Sequence, residues 1–165
     1  MHCFSDASKR NYAAVIYIRF LQKSGNVKTN IVSSKSRLLS NKGKITIPRA
    51  ELNGFLLMCE LYSSVIFALE SVYVVNDVYF WSDSSIVYCW VKNMKTIHKP
   101  YVERRLSKIK KIITDDQYLK LVPSKLNSAD IATRGLSPSE LLNCSLWIHG
   151  PSFLNLSENE WPNLQ

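Results

Sequence analysis

Residues 78–84, Val-Tyr-Phe-Trp-Ser-Asp-Ser, constrain this chain more than any other stretch. A short aromatic and β-branched run favours a buried central strand, and such a strand in an α/β protein delivers its last side chains to the sheet rim, where ligands gather. Asp83 stands there, immediately before a helical pattern. Three further acids occupy comparable junctions. Asp6 closes the apolar run of residues 3–4, Glu51 falls in the first turn of a long amphipathic helix, and Asp130 opens a short helix over Ala129–Arg134. The chain has only 13 acidic residues in 165, so four at element junctions point to convergence as a metal site. Taken singly, Glu51 reads as a partner for the helix dipole and Asp83 as a helix cap.

The remaining elements follow in order. Residues 2–4 lead into Ser5-Asp6-Ala7-Ser8, residues 13–20 are almost continuously apolar as a doubly covered strand should be, and residues 27–35 alternate after a turn at Lys23-Ser24-Gly25-Asn26. A loop at residues 40–44 precedes a helix with Thr46 or Ile47 near its cap and Pro48 in an early position. Leu52, Phe55, Leu56, Cys59, Ser63 and Ile66 mark its inward face over about five turns. A fourth strand at residues 78–81 is followed by a helix at residues 84–92, with Ile86, Val87, Trp90 and Val91 inward. A helix from Pro100 sets Val102, Leu106, Ile109 and Ile113 against a basic face, and a fifth strand spans residues 117–122. Ser128 is a candidate cap for the short helix that follows.

Three antiparallel strands followed by helix, strand, helices and strand specify an α/β fold: a five-stranded mixed sheet with two parallel additions made by right-handed crossovers, flanked by helices. The first strand then lies beside the fourth. Residues 1–142 form this domain. Residues 143–165, rich in Ser, Asn and Trp, read as a linker or docking tail.

A formal net charge of +8 and a pI near 9.4 imply a polyanionic partner. Arg104, Arg105, Lys108 and Lys111, with Lys92, Lys95, Lys99 and Lys110, are dense enough for contact with a phosphate backbone. Cys3, Cys59, Cys89 and Cys144 lack metal or disulfide spacing, and His2, His98 and His149 are scattered, which leaves a zinc module or a His-based triad without support. No basic-apolar leader and no apolar run of bilayer length are evident, so no membrane partner and a cytosolic or nuclear setting are expected. The start inside a strand suggests a preceding segment.

Four carboxylates at one rim repel unless hard cations neutralise them, and oxygen-only donors select Mg2+ or Mn2+. Two such ions about 4 Å apart clamp a phosphodiester for hydrolysis. The order Asp, Glu, Asp, Asp, in Ser5-Asp6-Ala7-Ser8, Ile47-Pro48-Arg49-Ala50-Glu51-Leu52, Phe80-Trp81-Ser82-Asp83-Ser84 and a Pro123-Ser124-Lys125 loop leading through Asn127 to Ala129-Asp130, resembles the RNase H domain of BEL/Pao-type LTR retrotransposon polyproteins. The resemblance covers about residues 2–151, since Ser145-Leu146-Trp147-Ile148-His149-Gly150-Pro151 is similar to the segment leading toward the integrase in those elements.

The resemblance implies an RNase H-like fold and cleavage of the RNA strand of an RNA–DNA hybrid, beside reverse transcriptase and integrase segments of one polyprotein. It implies Asp6, Glu51, Asp83 and Asp130 as ligands of two Mg2+ ions, with Mn2+ as substitute. Cellular and retroviral relatives carry a His in the loop before the last Asp, where this chain has Lys125. Ser8 and Asn11 are candidates for 2′-hydroxyl contacts, and Lys99, Lys125 and Asn127 join the basic face as candidate hybrid-binding residues. The alternative is an inactive RNase H-like binding or connection module, which would have no reason to keep all four acids. An integrase-type nuclease uses fewer carboxylates and is disfavoured by the early position of Glu51.

Overall fold

In a computed structural model, which describes residues 1–40, 45–93, 97–115 and 118–164, five strands form one mixed sheet in the order β3-β2-β1-β4-β5. The strands are β1 (His2–Ala7), β2 (Asn11–Leu21), β3 (Val27–Leu38), β4 (Tyr79–Ser82) and β5 (Leu119–Leu121). The pairs β1–β2 and β2–β3 are antiparallel, and β1–β4 and β4–β5 are parallel. The expected architecture is therefore the observed one.

Alternation along the central strands builds two cores, because successive side chains leave a strand on opposite faces. Cys3, Ala14, Ile16 and Phe80 face a cluster with helices α1 (Ile47–Leu69), α2 (Ser85–Lys92) and α3 (Pro100–Lys110). Phe4, Val15, Tyr17, Tyr79 and Trp81 face a second cluster. On the first face α1 supplies Leu52, Phe55, Met58 and Cys59, and α3 supplies Val102, Leu106 and Ile109. By length and composition α1 could cross a membrane, with a mean hydropathy of 1.6, against the expectation of no such run; here its apolar face is committed to the sheet.

The second face departs most from expectation. The segment set apart as a tail folds back over it: after α4 (Ala129–Arg134), α5 (Pro138–Leu142) and α6 (Ser145–His149), the chain buries Phe153, Leu154 and Trp161 against Phe4, Tyr17 and Trp81. Packing gives no break at residue 142. The segment is pinned by backbone carbonyls that accept from the sheet, since Arg19 donates to Leu154 O at 2.7 Å and Tyr17 Oη to Trp147 O at 2.8 Å. Gly150 makes the turn at φ +73°, and a Cβ there would lie 2.9 Å from Leu154 and 3.3 Å from Tyr17. Its irregular 3-10 turns have no apolar period, which is why the sequence reads as a linker.

Smaller differences have local causes. β3 runs on to Leu38 because Asn11 and Tyr12 continue its pairing. β4 begins at Tyr79 and includes Ser82, and β5 is only three residues long. Ser84 caps α2, its Oγ accepting from Val87 N, so that Asp83 is free of that duty. Ile86 is 45% exposed while Val87 and Val91 are buried, since an eight-residue helix has room for one inward stripe. Ile47 opens α1, which puts Glu51 just beyond the first turn. The loop of residues 41–44, Lys95 and Gln117 lie outside the described residues.

Candidate active site

The four acids arrive on four elements at one end of the two central parallel strands. Ser5 and Ser82 are register partners, so Asp6, next along β1, and Asp83, next after β4, leave the sheet side by side. Glu51 comes from α1 above one face. Asp130 comes from α4 on the other side.

Two contacts set the heights of these elements. Gly54 on α1 lets the helix backbone approach β1 so closely that a Cβ there would stand 2.8 Å from the Asp6 carbonyl oxygen. Asn127, buried, donates to Ser5 O at 2.9 Å and accepts from Ala129 N at 3.2 Å, tying the start of α4 to the strand that bears Asp6.

The carboxylates share one field. Burial raises the Asp6 carboxyl above the ordinary aspartate range; a hydrogen bond from Thr133 opposes this, and Asp83 and Asp130 raise it further. Glu51 is likewise raised, first by burial and then by Asp83, with Ser84 opposing. Asp6 thus feels two of the other acids, and Asp83 is felt from both sides.

The expected convergence is nevertheless incomplete, because among the described residues no group of three or more His, Cys, Asp or Glu is arranged to hold a metal ion. Three of the acids are engaged by protein donors. Thr133 Oγ1 donates to Asp6 Oδ2, Ser84 Oγ donates to Glu51 Oε2 at 2.5 Å, and Arg134 Nε donates to Asp130 Oδ1 at 2.8 Å. The donor chemistry itself suits a hard cation, since every group is a carboxylate and the thiols stand elsewhere.

Several candidate hybrid contacts are placed otherwise than expected. Asn127 is spent on the Ser5 and Ala129 backbone and is closed to solvent, so it offers nothing to a ligand. Ser8 donates to Asn11 Oδ1 within the β1–β2 turn, and Asn11 Nδ2 reaches Ala132 O at 3.4 Å, so both serve the turn and its contact with α4. Arg105 leaves the solvent face of α3: its guanidinium lies 3.5 Å from the Tyr101 ring centroid and donates to Asn53 Oδ1 at 2.5 Å. Lys99, Arg104, Lys108, Lys111 and Lys125 are exposed, as expected of a basic surface. Tyr12, Arg37, Asn53, Glu60, Arg105 and Lys108 line a cleft of about 180 Å³ beside α1.

Thr133 and Gly54 escaped the reading of the sequence. Thr133 lies three residues after Asp130 and so on the same helical face, a signal that was available. Gly54 gives no such signal, because an isolated glycine in a helix states nothing about what approaches it.

With the site described, solved structures of similar shape define the class. RNase H1 from the halophilic archaeon Halobacterium salinarum superposes with a TM-score of 0.50 at 17% identity, covering 78% of this chain and 89% of that one. The N-terminal RNase H domain of rv2228c from Mycobacterium tuberculosis gives 0.53 at 12%, covering 81% and 92%. LC11-RNase H1, solved in complex with an RNA/DNA hybrid, gives 0.52 at 17%, covering 78% and 88%. The fold is RNase H-like. A comparison with curated proteins gives no match.

A model of the Pao retrotransposon-like RNaseH-like domain matches residues 1–84, and the chain belongs to that family. The matched region contains Asp6, Glu51 and Asp83 and stops short of Asp130, so it is narrower than the resemblance over residues 2–151.

Proposed function

We propose that this domain is a divalent-metal-dependent endoribonuclease that cuts the RNA strand of RNA–DNA hybrids during reverse transcription of a retroelement. One observation carries the reading: Asp6 at the end of β1, Glu51 on α1, Asp83 after β4 and Asp130 on α4 come to one end of the sheet, where Asp83 and Asp130 act on the raised Asp6 and Asp83 acts on the raised Glu51. Asp6, Glu51, Asp83 and Asp130 would hold two Mg2+ ions, or Mn2+ in their place. Ions bound there would supply activation of water and stabilisation of the departing 3′ oxygen.

The chain's own residues do the rest. Ser84 and Thr133 orient Glu51 and Asp6. Exposed Lys99, Arg104, Lys108 and Lys111, with Arg105 held flat on Tyr101, offer cations to the hybrid backbone. Family membership supports a setting beside reverse transcriptase and integrase segments of one polyprotein, in a cytoplasmic particle or the nucleus.

The test is labelled hybrid with purified protein and Mg2+. Asp83 accepts no hydrogen bond among the described residues, so Asp83→Asn is expected to stay folded and to lose at least about 100-fold in cleavage, the scale on which a single electrostatic stabiliser acts. Undiminished cleavage sinks the nuclease. A second reading, a binding module that holds hybrid without cutting, is favoured by the incomplete gathering of the acids; it predicts hybrid binding that Mg2+ leaves unchanged.

A further inference from the structure

We propose that Thr133 is a positioning residue for this site: its hydroxyl, delivered by α4, fixes the orientation in which the Asp6 carboxylate would meet a divalent cation. The inference rests on the metal-dependent reading above and names a residue that the four-acid pattern does not contain.

The geometry is specific. Thr133 is buried at 9% exposure, on the face of α4 that also carries Asp130. Its Oγ1 donates to Asp6 Oδ2 and lies 3.1 Å from the Asp130 carbonyl oxygen. One hydroxyl proton serves one acceptor at a time, and a carboxylate is a stronger acceptor than a peptide carbonyl. The proton therefore goes to Asp6.

α4 has six residues, too few to hold a helix by itself, so its place depends on what it grips. Asn127 grips the Ser5 backbone and Asn11 grips the Ala132 backbone. Of these three bonds, the one from Thr133 alone ends on an acid. It couples the element bearing Asp130 to the side chain of Asp6.

The other two donors are poorer candidates. Arg134 is 77% exposed on its side chain, and an exposed pair holds little geometry. Ser84 also caps α2, so its removal disturbs two things at once.

Groups that orient a metal ligand from behind typically cost 10- to 100-fold in metal affinity when removed. Calorimetric titration of the substrate-free chain with Mg2+, repeated with Mn2+, should show Thr133→Val at least about tenfold weaker than wild type, with Thr133→Ser restored to within a few-fold. A merely structural Thr133 would lower the melting temperature equally with and without Mg2+ and leave the affinity unchanged. Equal Mg2+ affinity of wild type and Thr133→Val overturns the proposal, as does a Thr133→Ser variant no better than Thr133→Val. Should Thr133→Val fail to fold, the pair Thr133→Ala and Thr133→Ser carries the same readout. A wild-type chain that takes up no Mg2+ overturns the nuclease reading and this one with it; wild-type uptake with an unchanged variant overturns this one alone.

Discussion

The two faces of the sheet are covered by different means. On one, α1 and α3 lay down apolar side chains at helical spacing, Leu52 with Phe55 and Cys59, Val102 with Leu106 and Ile109. On the other, an irregular chain buries three residues, Phe153, Leu154 and Trp161, among rings from the strands: Trp81 and Phe153 centroids are 5.0 Å apart, and Tyr79 and Trp161 are 4.9 Å apart. Helices satisfy their own backbone, whereas the irregular cover needs Arg19, Tyr17 and His149 to bind its carbonyls or those of β3. The acid pocket lies where the two covers meet, Glu51 from the first and Asp130 from the second. A site built at such a seam depends on both sides being packed.

The sharpest way to break that comparison is to empty the second face. Leu154→Ala is expected to cost about 2–5 kcal/mol, a full core penalty, because Leu154 has no exposed surface. Urea denaturation measures it, and a cost below about 1 kcal/mol would mean that this cover is a loose appendage after all. Next in size, Gly54→Ala is expected to cost about 1–3 kcal/mol by overpacking against the Asp6 backbone. Its loss of cleavage should exceed the fraction unfolded, because α1 carries Glu51 away with it. Equal activity per folded molecule would show that α1 does not set the pocket.

The smallest expected effect concerns pH. Asp6 and Glu51 have folded-state values above their ordinary 3.8 and 4.5, so the folded chain keeps their protons longer than the unfolded chain does. Their contribution therefore falls as pH rises from the ordinary values through the raised ones, and at neutral pH the metal-free pocket is a net cost. Asp6→Asn and Glu51→Gln should be stabilised relative to wild type at pH 7, with the gap closing as pH drops below about 4, the ordinary carboxylate range. Denaturation midpoints against pH, with and without Mg2+, check this. A gap that widens on acidification reverses the sign of the argument.

The first face was legible because its covering helices repeat at 3.6 residues and its strands at two, periods that a sequence displays openly. Asp6, Glu51, Asp83 and Asp130 were legible as junction acids for the same reason: once strands and helices are placed, their ends are known. Thr133 was not singled out although its spacing from Asp130 puts it on the same helical face, because the carboxylate it meets lies 127 residues earlier in the chain. Arg105 was assigned to solvent from its register on α3, yet Tyr101 and Asn53 draw it back along the helix. Asn127 misled in the opposite direction: a polar residue beside a functional acid read as a ligand contact, and the backbone of Ser5 claims it.

What the residues determine by themselves is the strand and helix order, the mixed sheet and the four acids at element ends, because these follow from local periodicity and the short list of ways to connect such elements. Tertiary structure alone decided that residues 145–161 complete a core, that a hydrogen in place of a side chain at Gly54 lets α1 reach Asp6, and that Ser84, Thr133 and Arg134 donate to three of the acids. The physical reason is common to all three. Each depends on a distance between atoms far apart in the chain, and such distances arise only once both cores have packed.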